Sequence, residues 1–207
     1  LNEYYVGQQI GEIWGYETGG LFQSDAEVAA HADLSNLGNN WLAGDLKYLD
    51  RNGDGKVDAG NQTLDDPGDR TIIGNESMRY RFGTTINLQY KNFTLNAFFQ
   101  GILKGDYFPP TGNWNAFWPY NAGHAEWYYV TDSWSPDNPD AYFPAPHIGY
   151  NDKKNYHTND RYLQDAAYVR LKQLTFNYKV PQNIVDQLRL KSLSLYYSGQ
   201  NLWEATN

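Results

Sequence analysis

YRFGTTINLQYKNFTLNAFFQ, the stretch from Tyr80 to Gln100, alternates apolar and polar side chains on both sides of the pair Lys91-Asn92. One face of the first half carries Tyr80, Phe82, Thr84, Ile86, Leu88 and Tyr90, and one face of the second carries Phe93, Leu95, Ala97 and Phe99. A period of two residues is typical of a β-strand with two different faces. Because only two residues separate the halves, the stretch predicts two antiparallel strands joined by a tight hairpin.

Two further alternating runs lie near the end of the chain, from about Tyr168 to Val180 and from about Leu190 to Gln200. The apolar faces carry Leu174, Phe176, Tyr178 and Val180 in one run and Leu193, Leu195 and Tyr197 in the other. Pro181 ends the first run because proline has no backbone N–H to donate. The link from Pro181 to Leu188 predicts one helical turn.

Two cations fall inside the run that begins at Tyr168. Strict alternation places Arg170 and Lys172 on the same face as Tyr168, in line with the apolar residues that follow. Charge is costly inside a bilayer, so we expect both side chains at a membrane interface or against protein.

The connections between the runs differ greatly in length. The first two runs meet in two residues and the last two in a short link, whereas residues 101–167 form one long loop and residues 1–79 are equally irregular. Short turns at one end and long loops at the other are typical of an outer-membrane β-barrel. A soluble β-sandwich with one face in water has the same alternation and is the alternative.

Composition excludes several classes of protein. The net charge of -8 argues against a nucleic-acid partner, and the absence of cysteine excludes disulfide scaffolds and thiolate metal sites. The sequence contains no apolar run long enough for a transmembrane helix. The chain does not begin with Met and has no signal-peptide pattern, so we expect a processed product or a fragment.

Several motifs resemble one known family. In chain order they are Gly11–Tyr16, Gly20–Ser24, Gly44–Tyr48, Asp50–Gly55, Ile73–Asn75, Phe98–Gly101, Ala166–Leu174 and Tyr197–Leu202. Their order and spacing resemble the C-terminal part of the SusC/RagA family of TonB-linked outer-membrane proteins of Bacteroidetes. The resemblance implies an all-β fold, part of a large antiparallel transmembrane β-barrel of about 22 strands with long extracellular loops and a plugged lumen.

The resemblance also implies domains, partners and location. Residues 1–207 would be a C-terminal portion of the receptor barrel, with an extracellular loop region in 1–79 and barrel strands in 80–207. The expected function is import of glycan or peptide nutrients across the cell outer membrane. The expected partners are a SusD-like surface lipoprotein, an oligosaccharide or peptide substrate, and the TonB–ExbB–ExbD complex, reached through segments that lie upstream in the family.

The segment Asp50 to Asp58, DRNGDGKVD, matches a calcium-binding loop of the EF-hand type. The predicted ligands are side-chain oxygens of Asp50, Asn52, Asp54 and Asp58 and the carbonyl of Lys56. Alternate spacing lets these oxygens converge on one hard cation, and Gly55 permits the sharp turn. Asn61 replaces the usual closing glutamate, and Asp65 or Asp66 could supply the closing ligand instead. We expect structural calcium; the alternative is a surface turn without metal.

Aromatic residues are concentrated in the long loop. We predict substrate contacts for four of them, Trp114, Trp118, Tyr120 and Trp127. Aromatic faces stack on sugar rings or peptide side chains, but the same residues can simply pack the loop.

Enzyme activity is not expected. The four histidines are scattered, and the sequence contains no nucleophile elbow and no phosphate-binding glycine loop. Two other classes stay open on the residues alone. One is a soluble secreted β-sandwich that binds carbohydrate, and the other is a β-fold glycoside hydrolase, which would need two converging carboxylates.

Overall fold

The computed structural model describes residues 1, 3–109, 127–146 and 154–206. It divides the chain into two compact units. Unit 1 comprises Leu1–Glu76 and Tyr107–Gln164, and unit 2 comprises Ser77–Asp106 and Asp165–Asn207. The strands are β1 (Glu12–Tyr16), β2 (Thr18–Leu21), β3 (Leu46–Tyr48), β4 (Arg70–Asn75), β5 (Arg79–Tyr90), β6 (Phe93–Lys104), β7 (Asp106–Tyr107), β8 (Gln164–Asp165), β9 (Tyr168–Lys179) and β10 (Ser194–Thr206). The helices are α1 (Asp25–Ala29), α2 (Trp127–Thr131) and α3 (Gln182–Gln187).

Unit 2 is a four-stranded antiparallel sheet in the order β10-β9-β6-β5. Among the strands of this sheet, each one lies beside the next in chain order, so the sheet is a meander. The hairpin predicted at Lys91-Asn92 is confirmed, because Tyr90 pairs directly with Phe93. Lys91 has a positive φ of 52°, which a two-residue turn requires.

The four predicted strands are confirmed, with small differences at their ends. The strand predicted to stop at Gln100 continues to Lys104, and the last strand begins at Ser194 rather than near Leu190. The predicted helical turn is α3, which starts directly after Pro181. Leu193 accepts a backbone hydrogen bond from Val180 (2.9 Å) before the last ladder begins.

A β-bulge interrupts β9 at Lys172. Phe98 of β6 pairs with Gln173, and the next residue, Phe99, pairs with Leu171, so Lys172 has no partner in β6. The extra residue reverses the alternation of side chains on one side of the bulge. The local period read from the sequence could not reveal this reversal.

Unit 1 is built from short ladders around an aromatic core. β1 pairs with β4 and β2 pairs with β3, both antiparallel, while β7 pairs with β8 where the chain passes between the two units. The buried cluster contains Tyr16, Leu21, Phe22, Leu34, Leu37, Leu46, Tyr48, Val57, Tyr129, Phe143 and Tyr162. Many of its rings meet edge to face, for example Tyr16 and Tyr48 at 5.5 Å between centroids.

A buried ion pair joins two distant segments of unit 1. The Lys154 Nζ atom lies 2.7 Å from Asp45 Oδ2, and the two side chains are 6% and 0% exposed. Asn155 donates to Asp45 Oδ1 at 2.8 Å and accepts from the Leu46 N–H at 2.8 Å. This network ties the start of β3 to the segment around residue 155.

Among the described residues, no helix has both the length and the apolar character needed to cross a membrane.

Candidate functional site

One face of the unit 2 sheet is almost entirely apolar. Cross-strand partners in antiparallel sheets share a face, so the register defines each row. The rows are Tyr90, Phe93, Tyr178 and Leu195; Leu88, Leu95, Phe176 and Tyr197; Ile86, Ala97, Leu174 and Gly199; and Thr84, Phe99, Leu171 and Trp203. Leu88 and Leu195 are 57% and 59% exposed. The described residues therefore leave this face largely uncovered.

The opposite face of the sheet is mainly polar. Its rows are Gln89, Thr94, Asn177 and Tyr196; Asn87, Asn96, Thr175 and Ser198; Thr85, Phe98, Gln173 and Gln200; and Gly83, Gln100, Arg170 and Glu204. The hydroxyls of Thr175 and Ser198 lie 3.1 Å apart and share a hydrogen bond. The two faces therefore offer different surroundings, one suited to hydrocarbon and one to water.

The bulge at Lys172 decides where Arg170 lies. Strict alternation placed Arg170 on the apolar face, but the bulge moves it, with Tyr168, to the polar face and turns Val169 and Leu171 to the apolar face. There Arg170 Nε donates to Glu204 Oε2 at 2.7 Å, and the guanidinium lies 5.2 Å from the Tyr168 ring centroid. The apolar face thereby stays free of this charge.

Aromatic side chains gather at the hairpin end of the apolar face. Phe93 stacks on Tyr178 at 4.6 Å and on Phe176 at 5.7 Å between ring centroids. The Lys91 ammonium lies 5.3 Å from the centroid of Tyr90. Aromatic rings with polar tips, flanked by lysine, are typical of the boundary between lipid and water.

The Asp-rich loop of unit 1 is organised by its own backbone. Asp50 accepts hydrogen bonds from the N–H groups of Gly53 (2.7 Å) and Gly55 (2.9 Å). Asn52 accepts from the Asp54 N–H, and Asp54 accepts from the Lys56 N–H, at 2.9 and 3.0 Å. Gly53 and Gly55 have positive φ values of 77° and 86°, which explains glycine at both positions.

Asp69 is a central residue of this loop that the sequence pattern missed. Its Oδ1 accepts from the N–H groups of Arg51 and Asn52, and its Oδ2 accepts from the Asp58 N–H at 2.8 Å. The carboxylate is 1% exposed. Asp69 lies just before β4, outside the spacing of a calcium motif, and Asp65 or Asp66 as the closing calcium ligand stays a prediction.

Charges within the loop are balanced by Lys56. Its ammonium lies 2.9 Å from Asp58 Oδ2 and 3.8 Å from Asp54 Oδ2. This contact lowers the pKa of Asp58 and raises the pKa of Lys56. In the part of the chain that the structure describes, no three acidic or histidine side chains converge as a metal site would require. Calcium stays a prediction, and it would require Asp54 and Asp58 to exchange their contact with Lys56 for the cation.

Three of the four predicted substrate contacts, Trp114, Trp118 and Tyr120, lie outside the described residues. The fourth, Trp127, begins α2 and is 77% exposed. Two residues later, Tyr129 is buried against Phe143, with ring centroids 4.9 Å apart. Of these two described aromatic residues, Tyr129 therefore packs inside the protein, whereas Trp127 is exposed and accessible to a ligand or partner.

Burial shifts the tyrosines at the centre of unit 1. Desolvation raises the pKa of Tyr16 to about 12, and it also raises the pKa values of Tyr48 and Tyr162. These phenols are therefore neutral at physiological pH. Their rings pack in the core of unit 1.

The chain is similar to curated proteins of Formosa agariphila. It is 30% identical to TonB-dependent receptor P3 over 201 residues, which cover 97% of this chain and 18% of the relative. It is 26% identical to TonB-dependent receptor P26 over 198 residues, which cover 95% of this chain and 18% of the relative. The chain therefore spans about a fifth of the length of these relatives. No protein-family profile matches the chain.

Solved structures show a similar fold. The chain matches part of the RagAB peptide importer in the 'open-open' state with a TM-score of 0.59 and 16% identity, over 100% of this chain and 21% of that one. A structure of the RagAB peptide transporter matches with a TM-score of 0.56 and 18% identity, over 96% and 20% of the two chains. The predicted fold class and the predicted resemblance to TonB-linked receptors are confirmed.

Proposed function

We propose that this chain, which corresponds to about a fifth of a TonB-dependent receptor, forms part of the wall and loops of an outer-membrane nutrient importer. The observation that carries the proposal is the two-faced sheet of unit 2, whose apolar rows are uncovered and whose polar rows include the Arg170–Glu204 pair. The names of the relatives, which are receptors, favour transport over catalysis.

Strand length supports a membrane-spanning role. β5, β6 and β9 have 12 residues each and β10 has 13. At about 3.3 Å per residue such strands extend about 40 Å, and a tilt of about 40° leaves about 30 Å across the bilayer. This matches the thickness of the hydrocarbon core, which is about 30 Å.

The two faces then have distinct roles. The rows around Leu88 and Phe176 would contact lipid, and the rows around Asn96 and Thr175 would line the lumen. Sheets cannot expose open edges to lipid, because each unpaired N–H and C=O there would lack a partner. β5 and β10, the outer strands of this sheet, would therefore pair with further strands of the receptor.

Unit 1, which comprises Leu1–Glu76 and most of the long loop, would form extracellular structure of the receptor. The similar solved structures are of RagAB, named as a peptide importer, which supports a partner equivalent to its second component, a SusD-like surface lipoprotein. The exposed Trp127 is a candidate contact for that partner or for substrate. Energy for import would come from the TonB–ExbB–ExbD complex through other parts of the receptor.

The second candidate is a soluble, carbohydrate-binding β-sandwich. A sandwich buries one face of each sheet against the other sheet. The exposure of Leu88 and Leu195 favours the importer, because within the described ranges no second sheet covers the apolar rows.

Single cysteines at neighbouring positions test the assignment of the faces. The chain contains no cysteine of its own, so in a receptor whose other segments are freed of cysteine, Leu88→Cys and Asn87→Cys can each be labelled with bimane at one position. In liposomes with brominated phospholipid, we expect several-fold stronger quenching at position 88, on the apolar face, than at position 87. Equal quenching, or none at either position, would contradict the proposal.

Growth experiments test import and its substrate. The name of RagAB, a peptide importer, favours a peptide, whereas the aromatic residues of the long loop suit sugar rings as well as peptide side chains. We expect that deletion of the receptor gene, or of TonB, abolishes growth on one of the two nutrient classes and leaves growth on monosaccharide or amino acids unchanged. Unchanged growth on all of these nutrients would argue against the importer.

A further inference from the structure

A cavity of about 470 Å³ opens on unit 1 beside the β1–β4 ladder. Its lining includes Trp14, Tyr16 and Arg70 from the ladder, Asp58 from the Asp-rich loop, and His157 and Thr158 from the later segment. Tyr16 and Arg70 are direct cross-strand partners, and Trp14 lies two residues before Tyr16, so the three share one face of the ladder. An aromatic wall and a guanidinium therefore line the same space.

Two nitrogens of the Arg70 guanidinium lack an acceptor in the part of the chain that the structure describes. Its Nε and Nη2 atoms are shielded from solvent, and among the described residues neither has a hydrogen-bond partner. A buried donor without an acceptor is unfavourable, and a charged donor more so. An acceptor supplied from outside the chain would remove this cost.

The carboxylates near the cavity are already engaged elsewhere. Asp58 Oδ1 accepts from the Gly60 N–H at 2.7 Å, and Asp58 Oδ2 pairs with Lys56 at 2.9 Å. Both oxygens of Asp69 accept backbone N–H groups. His157 Nε2 lies 2.7 Å from the carbonyl of Leu37, which fixes the imidazole at the cavity wall. These groups therefore have partners of their own, whereas the Arg70 Nε and Nη2 atoms have no acceptor among the described residues.

We propose that this cavity binds a ligand that carries a carboxylate, with Arg70 as the anion contact and Trp14 as the apolar wall beside it. Guanidinium binds carboxylate through two parallel N–H donors, a geometry that lysine cannot reproduce. The cavity can hold a single sugar ring or a short peptide end next to the indole. The site lies wholly within unit 1, so the proposal does not depend on import.

Titration of the receptor that contains this chain, purified in detergent, tests the site. The probes are D-glucuronate, N-acetylglycine and the uncharged methyl glucoside. We expect the acids to bind at least tenfold more tightly than methyl glucoside, and Arg70→Gln to weaken acid binding at least tenfold. Arg70→Lys keeps the positive charge but lacks the paired N–H donors, so it should weaken acid binding less than Arg70→Gln does. Preference for glucuronate would identify a sugar acid as the ligand, and preference for N-acetylglycine would identify a peptide terminus.

Arg51→Gln is the matched control, since Arg51 lies in the same unit but is exposed and only distantly paired with Glu17 at 3.9 Å. It should leave acid binding unchanged. Thermal unfolding of each variant checks folding, and we expect Arg70→Gln to unfold no earlier than the parent, because the Arg70 Nε and Nη2 atoms have no partner to lose among the described residues. Equal affinity for methyl glucoside, unchanged binding in Arg70→Gln, or no acid binding at all would overturn the proposal.

Discussion

The buried pair of Asp45 and Lys154 is the most sensitive point of unit 1. Lys154 also donates to the carbonyl of Asn40 at 2.8 Å, and its ammonium lies 5.6 Å from the centroid of Trp41. Asp45→Asn keeps the shape but leaves the lysine charge buried without a counter-ion. We expect the free energy of unfolding to fall by about 3–5 kcal/mol. Urea unfolding followed by tryptophan fluorescence measures the change.

The exposed pair of Arg51 and Glu17 is the control for that experiment. These side chains are 46% and 45% exposed and lie 3.9 Å apart. Glu17→Gln should cost less than about 0.5 kcal/mol because water screens the pair. Equal losses in both variants would mean that burial of the Asp45 pair contributes nothing.

Calcium at the Asp-rich loop is a separate residue-scale prediction. We expect added calcium to raise the unfolding temperature of the receptor, and Asp50→Asn to reduce that gain, because residue 50 is the first predicted ligand. Lys56→Gln removes the ammonium that now contacts Asp58 and should strengthen calcium binding. If calcium has no effect on either variant or on the parent, the loop is a turn held only by its N–H donors.

At the scale of single elements, two glycines of the sheet should differ sharply. A Cβ at Gly101 in β6 would lie 2.6 Å from the carbonyl oxygen of Tyr168, whereas one at Gly83 in β5 would lie 3.3 Å from the Phe98 ring. Gly101→Ala forces the β6 and β9 backbones apart and should cost about 1–3 kcal/mol. Gly83→Ala needs only a small movement of a ring. Unfolding in urea, and the heat-dependent gel migration typical of barrels, compare the two variants.

The strands themselves were predictable from the sequence, and their defects were not. Alternation predicted β5, β6, β9 and β10 because one face meets an apolar surrounding and the other a polar one. The bulge at Lys172 was not predicted, because it depends on the register between β9 and β6 and not on the local sequence pattern. For the same reason the acceptor role of Asp69 was missed, because no motif spacing links it to Arg51 and Asp58.

At the scale of the whole molecule, unit 1 should lose stability in alkali. Unfolded tyrosine has a pKa of about 10, and in the folded state the pKa of Tyr16 is raised to about 12. Below pH of about 10 both states keep the proton, so the stabilisation is complete. Between the two values only the unfolded state ionises, so the stability of unit 1 falls as pH rises, by on the order of 2 kcal/mol for this residue.

Unfolding in urea at about pH 9 and about pH 11 checks this expectation, with phenolate absorbance as the second signal. Tyr16→Phe removes one titrating group and should lessen the loss. The reverse result, a stability of unit 1 that rises with pH, would contradict the burial of these phenols.

The sequence predicted the fold class of this molecule, but it did not predict how the segments of unit 1 are arranged. Family motifs and alternation are local, whereas the core of unit 1 joins Tyr16, Tyr48 and Tyr162 from widely separated segments. The predicted substrate contacts depended on composition alone. Of these, Trp127 is exposed, and the role of all four stays a prediction.

The bulge means that β9 has one residue more than its ladder with β6 requires. Removing Lys172 would join Leu171 directly to Gln173. Every other side chain of β9 would then stay on its present face of the sheet. Removing Thr175 instead would turn Leu174 to the polar face and Gln173 to the apolar face. The receptor should therefore tolerate a one-residue deletion at position 172 and assemble poorly after one at 175, so length variation in this strand is confined to a single point.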